Sequence, residues 1–315
     1  MNITLGQNGP TVTPLCIGTW AWGDKLFWNY GNGYDSQQLK EAFNAALEAG
    51  VTFFDTAEIY GFGKSEEFLG EFMQSTPQQV QIATKYGPAP WRFRGSAVAD
   101  ALTASLKRLR VDRVALYQVH WSFAFLMSQE TLMNALADEV KRGRIASVGV
   151  SNYSADQMRE AHDILGKRGV PLAVNQVPYS LLTRQIESNG VFAAARELGV
   201  TILAYSPLAQ GLLTGKYAAD SVETPNGARK IDPRFSKEGL QKIEPVISLL
   251  RSIGGKYDRT PAQVALNWLI AQGNTIPIAG AKSAEQVRQN AGALGWKLSD
   301  DEVAQLESVS RPWLR

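Results

Sequence analysis

Eight short runs of β-forming residues alternate with helical patterns along the whole chain, and this alternation limits the fold more than any other feature. The runs are 14–18 (PLCIG), 52–55 (TFFD), 80–85 (VQIATK) and 113–120 (RVALYQVH), followed by 145–151 (IASVGVS), 172–176 (LAVNQ), 201–206 (TILAYS) and 275–280 (TIPIAG). Between them lie amphipathic stretches such as SQQLKEAFNAALEAG, GSAVADALTASLKRLR and SADQMREAHDILGKRG. Several open on Ser and two of these close on Gly, as helix caps do. Strand–helix units in alternation imply a parallel sheet, and eight is the number that closes a barrel. The expected fold class is α/β, a (β/α)8 TIM barrel. A turn signal between two short β runs in ITLGQNGPTVT adds an N-terminal β-hairpin. The competing architecture is an open doubly wound sheet. It needs GxGxxG after an early strand, but the first run continues CIGTWAWG, with Gly18 and Gly23 five apart. No low-complexity linker interrupts the pattern, so residues 1–315 are expected to form a single domain.

Composition removes several classes of function. The net charge of +2 gives no electrostatic case for nucleic acid or an anionic membrane, and neither is an expected partner. The single Cys16 excludes an internal disulfide framework and a CxxC zinc site, and fits a reducing compartment. MNITLGQNGPTVT lacks the basic and apolar segments of a secretion signal, and no apolar run is long enough to span a bilayer. A soluble, cytoplasmic, monomeric protein is expected. The GFGKS at 61–65 is not a phosphate loop, because GxxxxGK[ST] requires glycine at position 58, where the chain has Glu58.

The chemistry is expected where the strands end. Six of the eight runs finish on polar or ionisable residues: Asp55, Lys85, His120, Ser151–Asn152, Asn175–Gln176 and Tyr205–Ser206. Each alone has an ordinary explanation, a loop cap for Asp55 or a lysine reaching solvent for Lys85. Their shared position at one end of a barrel, where barrel active sites form, is explained at once by a single site. His162, by contrast, falls inside the pattern of an outer helix and is expected to be structural. A tyrosine hydroxyl titrates near pH 10 and is a poor acid or base at neutral pH. A neighbouring ammonium lowers that value, and a carboxylate holds the ammonium in place. Asp55, Lys85 and Tyr60 supply those parts, and His120 can donate to a substrate oxygen.

With these residues in view, the chain resembles the aldo-keto reductase superfamily over nearly its whole length. The landmarks are GTWAWG (18–23), FFDTAEIYGFGKSEEFLG (53–70), IATKYG (82–87), LYQVHW (116–121), SVGVSNY (147–153), VNQVPYS (174–180), AYSPLAQGLLTGKY (204–217) and IPIAGAKSAEQVRQN (276–290). The SPLAxGxLTGKY loop is similar to that of the potassium-channel β-subunit type. The resemblance implies an (α/β)8 barrel, a catalytic tetrad at Asp55, Tyr60, Lys85 and His120, and NADPH extended over the barrel mouth. It implies that Ser151, Asn152 and Gln176 hold the nicotinamide carboxamide, with Tyr205 stacked on the ring. Ser206, Pro207, Leu208, Gly211 and Lys216 would follow the pyrophosphate. Gly280, Lys282, Gln286 and Asn290 would take the adenosine end, and Gly18, Thr19, Trp20 and Asp55 would complete the contacts. Ser283 and Gln286 also read as a capping box, which sets a helix N-terminus near the 2′-phosphate. The tail after the last helical run, SVSRPWLR, is shorter than the substrate loops of steroid-reducing members, so steroid specificity does not carry over.

The expected reaction is NADPH-dependent reduction of a small-molecule aldehyde or ketone, with Tyr60 as proton donor and no metal. Trp20, Trp22, Trp28, Trp91 and Trp121, with Phe27, Phe93, Phe123 and Phe125, are candidates for an apolar wall over the reacting carbon. Arg92 and Arg94 are either candidates for an anionic substrate group or simply solvated. The alternatives are an NADPH-binding redox-sensing regulatory module with slow turnover, and a Schiff-base aldolase built on Lys85.

Overall fold

The computed structural model describes residues 2–123, 127–217 and 232–314. A two-stranded antiparallel sheet, β1 (Ile3–Thr4) and β2 (Thr11–Val12), precedes the barrel and pairs Ile3 with Val12. The barrel strands are β3 (Cys16–Gly18), β4 (Phe53–Asp55), β5 (Gln81–Tyr86), β6 (Val114–Val119), β7 (Ile145–Ser151), β8 (Leu172–Pro178), β9 (Thr201–Tyr205) and β10 (Thr275–Gly280). Each pairs in parallel with its neighbours, and β10 returns to β3 to close the barrel. Closure leaves no unpaired sheet edge.

Helices fill the connections: α1 (Ser36–Glu48), α2 (Lys64–Met73), α3 (Ser96–Leu109), α4 (Gln129–Lys141) and α5 (Ala155–Gly166). The segment before β9 carries α6 (Gln185–Ser188) and α7 (Val191–Leu198), and that before β10 carries α8 (Lys237–Tyr257) and α9 (Pro261–Ala271). After β10 come α10 (Ala284–Ala291) and α11 (Asp300–Val309). The amphipathic spacing is what seats them. In α1, Leu39, Ala42, Phe43, Ala46 and Leu47 recur at helical intervals and are buried against the sheet. Its cap is Asp35 rather than Ser36: the Asp35 carboxylate accepts from the Gln37 and Gln38 N–H groups, and Gln38 returns to the Asp35 N–H. At α5 the cap falls where the sequence put it, on Ser154 with Gln157. Among the described residues no helix is long and apolar enough to cross a membrane.

The barrel interior is layered. Cys16, Phe53, Ala83, Leu116, Val174, Leu203 and Ile276 form an apolar cluster with Leu5 and Val12 of the hairpin segment. The Gly6 N–H donates to Thr201 Oγ1 at 2.9 Å, so the hairpin sits at the strand starts. Side chains two positions apart on a strand share a face. Two residues beyond Phe53, Ala83, Leu116, Val174 and Leu203 stand Asp55, Lys85, Gln118, Gln176 and Tyr205. The apolar layer therefore supports a polar one directly above it, at the strand C-termini.

Candidate active site

Lys85 is wholly buried, and its surroundings explain how the charge is tolerated. An ammonium has three hydrogens. One reaches Asp55 Oδ1 at 2.6 Å, one the Thr56 carbonyl at 2.8 Å and one the Tyr60 hydroxyl oxygen at 3.3 Å. Asp55 Oδ2 accepts from Gln176 Nε2 at 2.8 Å and from Gln118 Nε2 at 3.3 Å. Behind Asp55, the Thr19 hydroxyl donates to the Asp55 carbonyl at 2.9 Å and meets Ser65 Oγ at 2.7 Å. Thr19, expected at the cofactor, is therefore fully buried with its side chain committed to the end of β4.

Tyr60 opens a single turn of 3₁₀ helix in which Gly61 and Phe62 both have φ 56° and Gly63 has φ 91°. A Cβ on Gly61 would lie 2.8 Å from the Gly23 carbonyl oxygen, so the loops after β3 and β4 touch only because this residue is glycine. The Tyr60 ring stacks beside Trp20, with centroids 6.2 Å apart, and meets the edge of His120 at 5.7 Å. The His120 N–H donates to the Tyr86 carbonyl at 2.9 Å, and its ring stacks on Trp121 at 4.5 Å. His120 Nδ1 is buried without a partner among the described residues.

Electrostatics correct one expectation. Burial pushes the Tyr60 hydroxyl above its ordinary value, and Lys85, although it pulls the other way, does not overcome it. Tyr60 is thus a protonated donor at neutral pH. Burial alone would depress Lys85, but Asp55 and Tyr60 beside it hold the ammonium above its ordinary value. Burial, assisted by the charge on Lys85, pushes His120 down to about 3, so its imidazole is neutral. Because the Tyr60 oxygen accepts from Lys85, its own hydrogen is not used by the ion pair and is left to be donated. A neutral histidine and an available phenol proton together suit a carbonyl oxygen that gains charge.

The loops after β7 to β10 carry the residues expected at a cofactor. Ser151 Oγ donates to the Gln176 carbonyl at 3.0 Å, Asn152 Nδ2 to Ser151 Oγ at 3.1 Å, and the Tyr205 hydroxyl to Asn152 Oδ1 at 3.1 Å. Asn152, Ser206, Ala209 and Gln210 are non-glycine residues at φ 60°, 52°, 47° and 58°, a strained backbone of the kind kept where loops hold ligands. Leu208 and Gly211 share that loop, half-buried, with Pro207 buried and Lys216 exposed. Exposed Gly280 ends β10, and Asn290 Nδ2 donates to its carbonyl at 3.4 Å. Lys282 Nζ lies 4.3 Å from the centre of the Tyr34 ring. The expected capping box is only half formed: Ser283 Oγ accepts from the Gln286 N–H, but Gln286 Oε1 turns to the Lys282 N–H at 2.9 Å. Donors, a helix N-terminus and left-handed loops together fit an extended dinucleotide.

Other expectations divide. Arg92 is not free for an anionic substrate. It grips both oxygens of Glu58, one contact at 2.9 Å, while Glu58 Oε1 also accepts the Gly87 N–H at 2.6 Å. Trp22 is buried among Phe54 and Phe72, its Nε1 donating to the Ala281 carbonyl at 2.8 Å, and belongs to the core. Trp20 instead gathers Phe27 and Trp28 at 5.8 and 5.6 Å beside Tyr60. Phe125 lies outside the described residues. His162 sits on α5, 3.6 Å from Asp163 and away from this site, as expected. Gln118 went unremarked in the sequence, although a glutamine inside VALYQVH, on the face of Leu116 and His120, was the available signal.

The model of the aldo/keto reductase family matches residues 14–311. A chloroplastic pyridoxal reductase of Arabidopsis thaliana is 40% identical, with 96% of this chain and 85% of that protein covered. An NADH-specific methylglyoxal reductase of Escherichia coli is 31% identical, with 98% of each covered. The solved glycerol dehydrogenase of Gluconobacter oxydans superposes with a TM-score of 0.87 at 29% identity, covering 100% of this chain and 96% of that one. With the barrel, the polar layer at its mouth and this match along nearly the whole sequence, the chain belongs to the aldo/keto reductase family and is an oxidoreductase.

Proposed function

We propose that the enzyme reduces aldehydes or ketones to alcohols with NADPH, Tyr60 delivering the proton. The supporting observation is the Lys85 ammonium, whose third hydrogen rests on the Tyr60 oxygen, so that the ion pair does not use the phenol proton. A reduced nicotinamide supplies the hydride when bound. Tyr60 and neutral His120 then face the carbonyl oxygen, His120 donating a hydrogen bond and Tyr60 its proton. Lys85 stabilises the phenolate left behind, and Asp55 keeps Lys85 charged and in place. On the cofactor side, Ser151, Asn152 and Gln176 would hold the carboxamide and Tyr205 the ring face. The loop from Ser206 to Lys216 would hold the pyrophosphate, and Lys282, Gln286 and Asn290 the adenosine end.

The substrate we assign is an uncharged aromatic carbonyl compound. Trp20, Phe27 and Trp28 lie beside Tyr60, Trp121 and Phe123 continue from His120, and of the two arginines in the loop after β5, Arg92 is paired with Glu58 while Arg94 lies over the Phe93 ring. Pyridoxal, the aromatic aldehyde in the name of the Arabidopsis relative, carries no net charge near neutral pH and suits such a rim. The test is cofactor oxidation with NADPH and NADH against pyridoxal, 4-nitrobenzaldehyde, methylglyoxal and an aldehyde bearing a carboxylate. Aromatic aldehydes should give the highest kcat/KM, and NADPH should be preferred. Turnover confined to the carboxylate-bearing aldehyde would remove the substrate assignment.

A further inference from the structure

We propose that Gln118 is a positioning residue: it fixes the Gln176 amide so that Oε1, and never Nε2, faces the ligand. This rests on the reading that Gln176 lies at the nicotinamide carboxamide. Gln118 is fully buried near the C-terminal end of β6, opposite Lys85 on one neighbouring strand and Gly149 on the other. A Cβ at Gly149 would stand 2.9 Å from Gln118 Cγ and 3.1 Å from Leu116 Cδ1, so that glycine leaves the room the glutamine fills. Gln118 Nε2 donates to Asp55 Oδ2, and Gln118 Oε1 accepts from Gln176 Nε2, each at 3.3 Å. Gln176 Nε2 also donates to Asp55 Oδ2 at 2.8 Å.

An amide nitrogen has two hydrogens, and these two bonds use both of them on Gln176. The amide cannot be turned over without setting its oxygen against the carboxylate of Asp55 and the oxygen of Gln118, a contact of acceptors with no hydrogen between them. Gln176 Oε1 has no donor among the described residues and is left as a fixed acceptor. An acceptor held in one orientation selects a ligand group that donates, which the –NH2 of a carboxamide does and a methyl ketone does not. Asp55 alone holds one hydrogen of Gln176; Gln118 holds the second and so prevents rotation about the first.

The experiment is a tryptophan-fluorescence titration of the full protein with NADP+ and with its 3-acetylpyridine analogue, in which a methyl group replaces the –NH2. Wild type should bind NADP+ about tenfold or more tighter than the analogue, the worth of a hydrogen bond held in place. Gln118→Met, of similar shape but without an amide, should shrink that ratio to threefold or less. Gln118→Asn, which withdraws its amide by one methylene, should do the same and stands in if the Met variant does not fold by circular dichroism. Gln176→Met should abolish the ratio. If Gln176→Met does so while a folded Gln118 variant keeps the wild-type ratio, Gln118 only fills the barrel and the proposal falls, with the cofactor reading intact. If Gln176→Met leaves the ratio unchanged, Gln176 is not at the carboxamide and both fall together.

Discussion

The two halves of the barrel mouth are built from different materials. Every exposed large hydrophobic among the described residues (Trp20, Leu26, Phe27, Ile59, Phe62, Trp91, Phe93 and Phe123) lies in the loops after β3, β4, β5 and β6. The described parts of the loops after β7 to β10 present none. They offer Asn152, Ser206, Gln210, Gly280 and Lys282 instead, much of it on left-handed backbone. Apolar contact is non-directional and tolerates many shapes, whereas hydrogen bonds to a fixed backbone select one geometry. One rim is thus suited to varied carbonyl compounds and the other to a single cofactor. The ionisable core, Asp55, Lys85, Tyr60 and His120, belongs to the aromatic half, while Gln176 reaches it from the polar half.

The sharpest way to break this division is to remove chemistry from the first half and look for an effect on the second. Tyr60→Phe should lower kcat by roughly two to four orders of magnitude, the range for a general acid, with NADPH Kd unchanged. Retention of more than half the wild-type turnover with several carbonyls would remove Tyr60 as proton donor.

Lys85→Met should abolish turnover and also weaken the fold, because it strands Asp55 in the barrel without its partner. Removing one member of a buried ion pair costs about 3–5 kcal/mol, whereas replacing both by apolar residues is often neutral. Lys85→Met with Asp55→Leu should therefore recover most of the stability in urea unfolding while remaining inactive. A double variant no more stable than the single one would mean that Gln118 and Gln176, left without their acceptor, matter more than the pair.

Most of the barrel was legible because it rests on periodicity. The runs at 145–151 and 275–280 became strands with those bounds, and the pairing of Asp55 with Lys85 follows from strand ends, with Tyr60 five residues into the loop that follows β4. What stayed hidden depends on three-dimensional surroundings. Sequence pairs Tyr60 with a cation and suggests an acidic phenol, but the burial that reverses the shift is a property of the folded mouth. Arg92 and Glu58 are 34 positions apart, so their mutual neutralisation leaves no local trace. Trp20 and Trp22 are two apart and look equivalent, yet one lines the mouth and the other fills the core. Asp35 and Ser36 are both good caps, and only the path of the chain chooses between them.

A smaller effect tests the polar half. The 2′-phosphate of NADPH adds close to two negative charges, and Lys282 stands just before the N-terminus of α10. Arg288, in the second turn of that helix, lies 3.5 Å from Glu48 and contributes less. A charge-assisted contact is worth about 1.5–3 kcal/mol, or roughly ten- to a hundredfold in affinity. Lys282→Ala should raise the NADPH Kd by that factor and leave NADH binding unchanged in fluorescence titration. Equal weakening of both would mean that the cofactor preference is set elsewhere, a live question given the NADH-specific relative.

A further effect concerns His120, where the aromatic half makes a prediction about pH. Buried beside Lys85, His120 stays neutral down to about 3, whereas in the unfolded chain it takes up a proton near 6.5. Between those values the unfolded state binds a proton that the folded state refuses, so stability falls as pH falls. The stability supplied by the neutral histidine is complete above about pH 6.5 and is lost toward pH 3, at no more than about 1.4 kcal/mol per pH unit. In urea titrations from pH 7 to pH 4.5, the wild type should therefore lose ground against His120→Gln, which has nothing to titrate. Over pH 6 to 9 the reductive kcat should show no inflection from this residue, since its charge does not change there. A kinetic step near pH 6.5 that disappears in His120→Gln would show the imidazole to be solvated and titrating normally, and the aromatic rim would then be more open to water than the stacking of His120 on Trp121 implies.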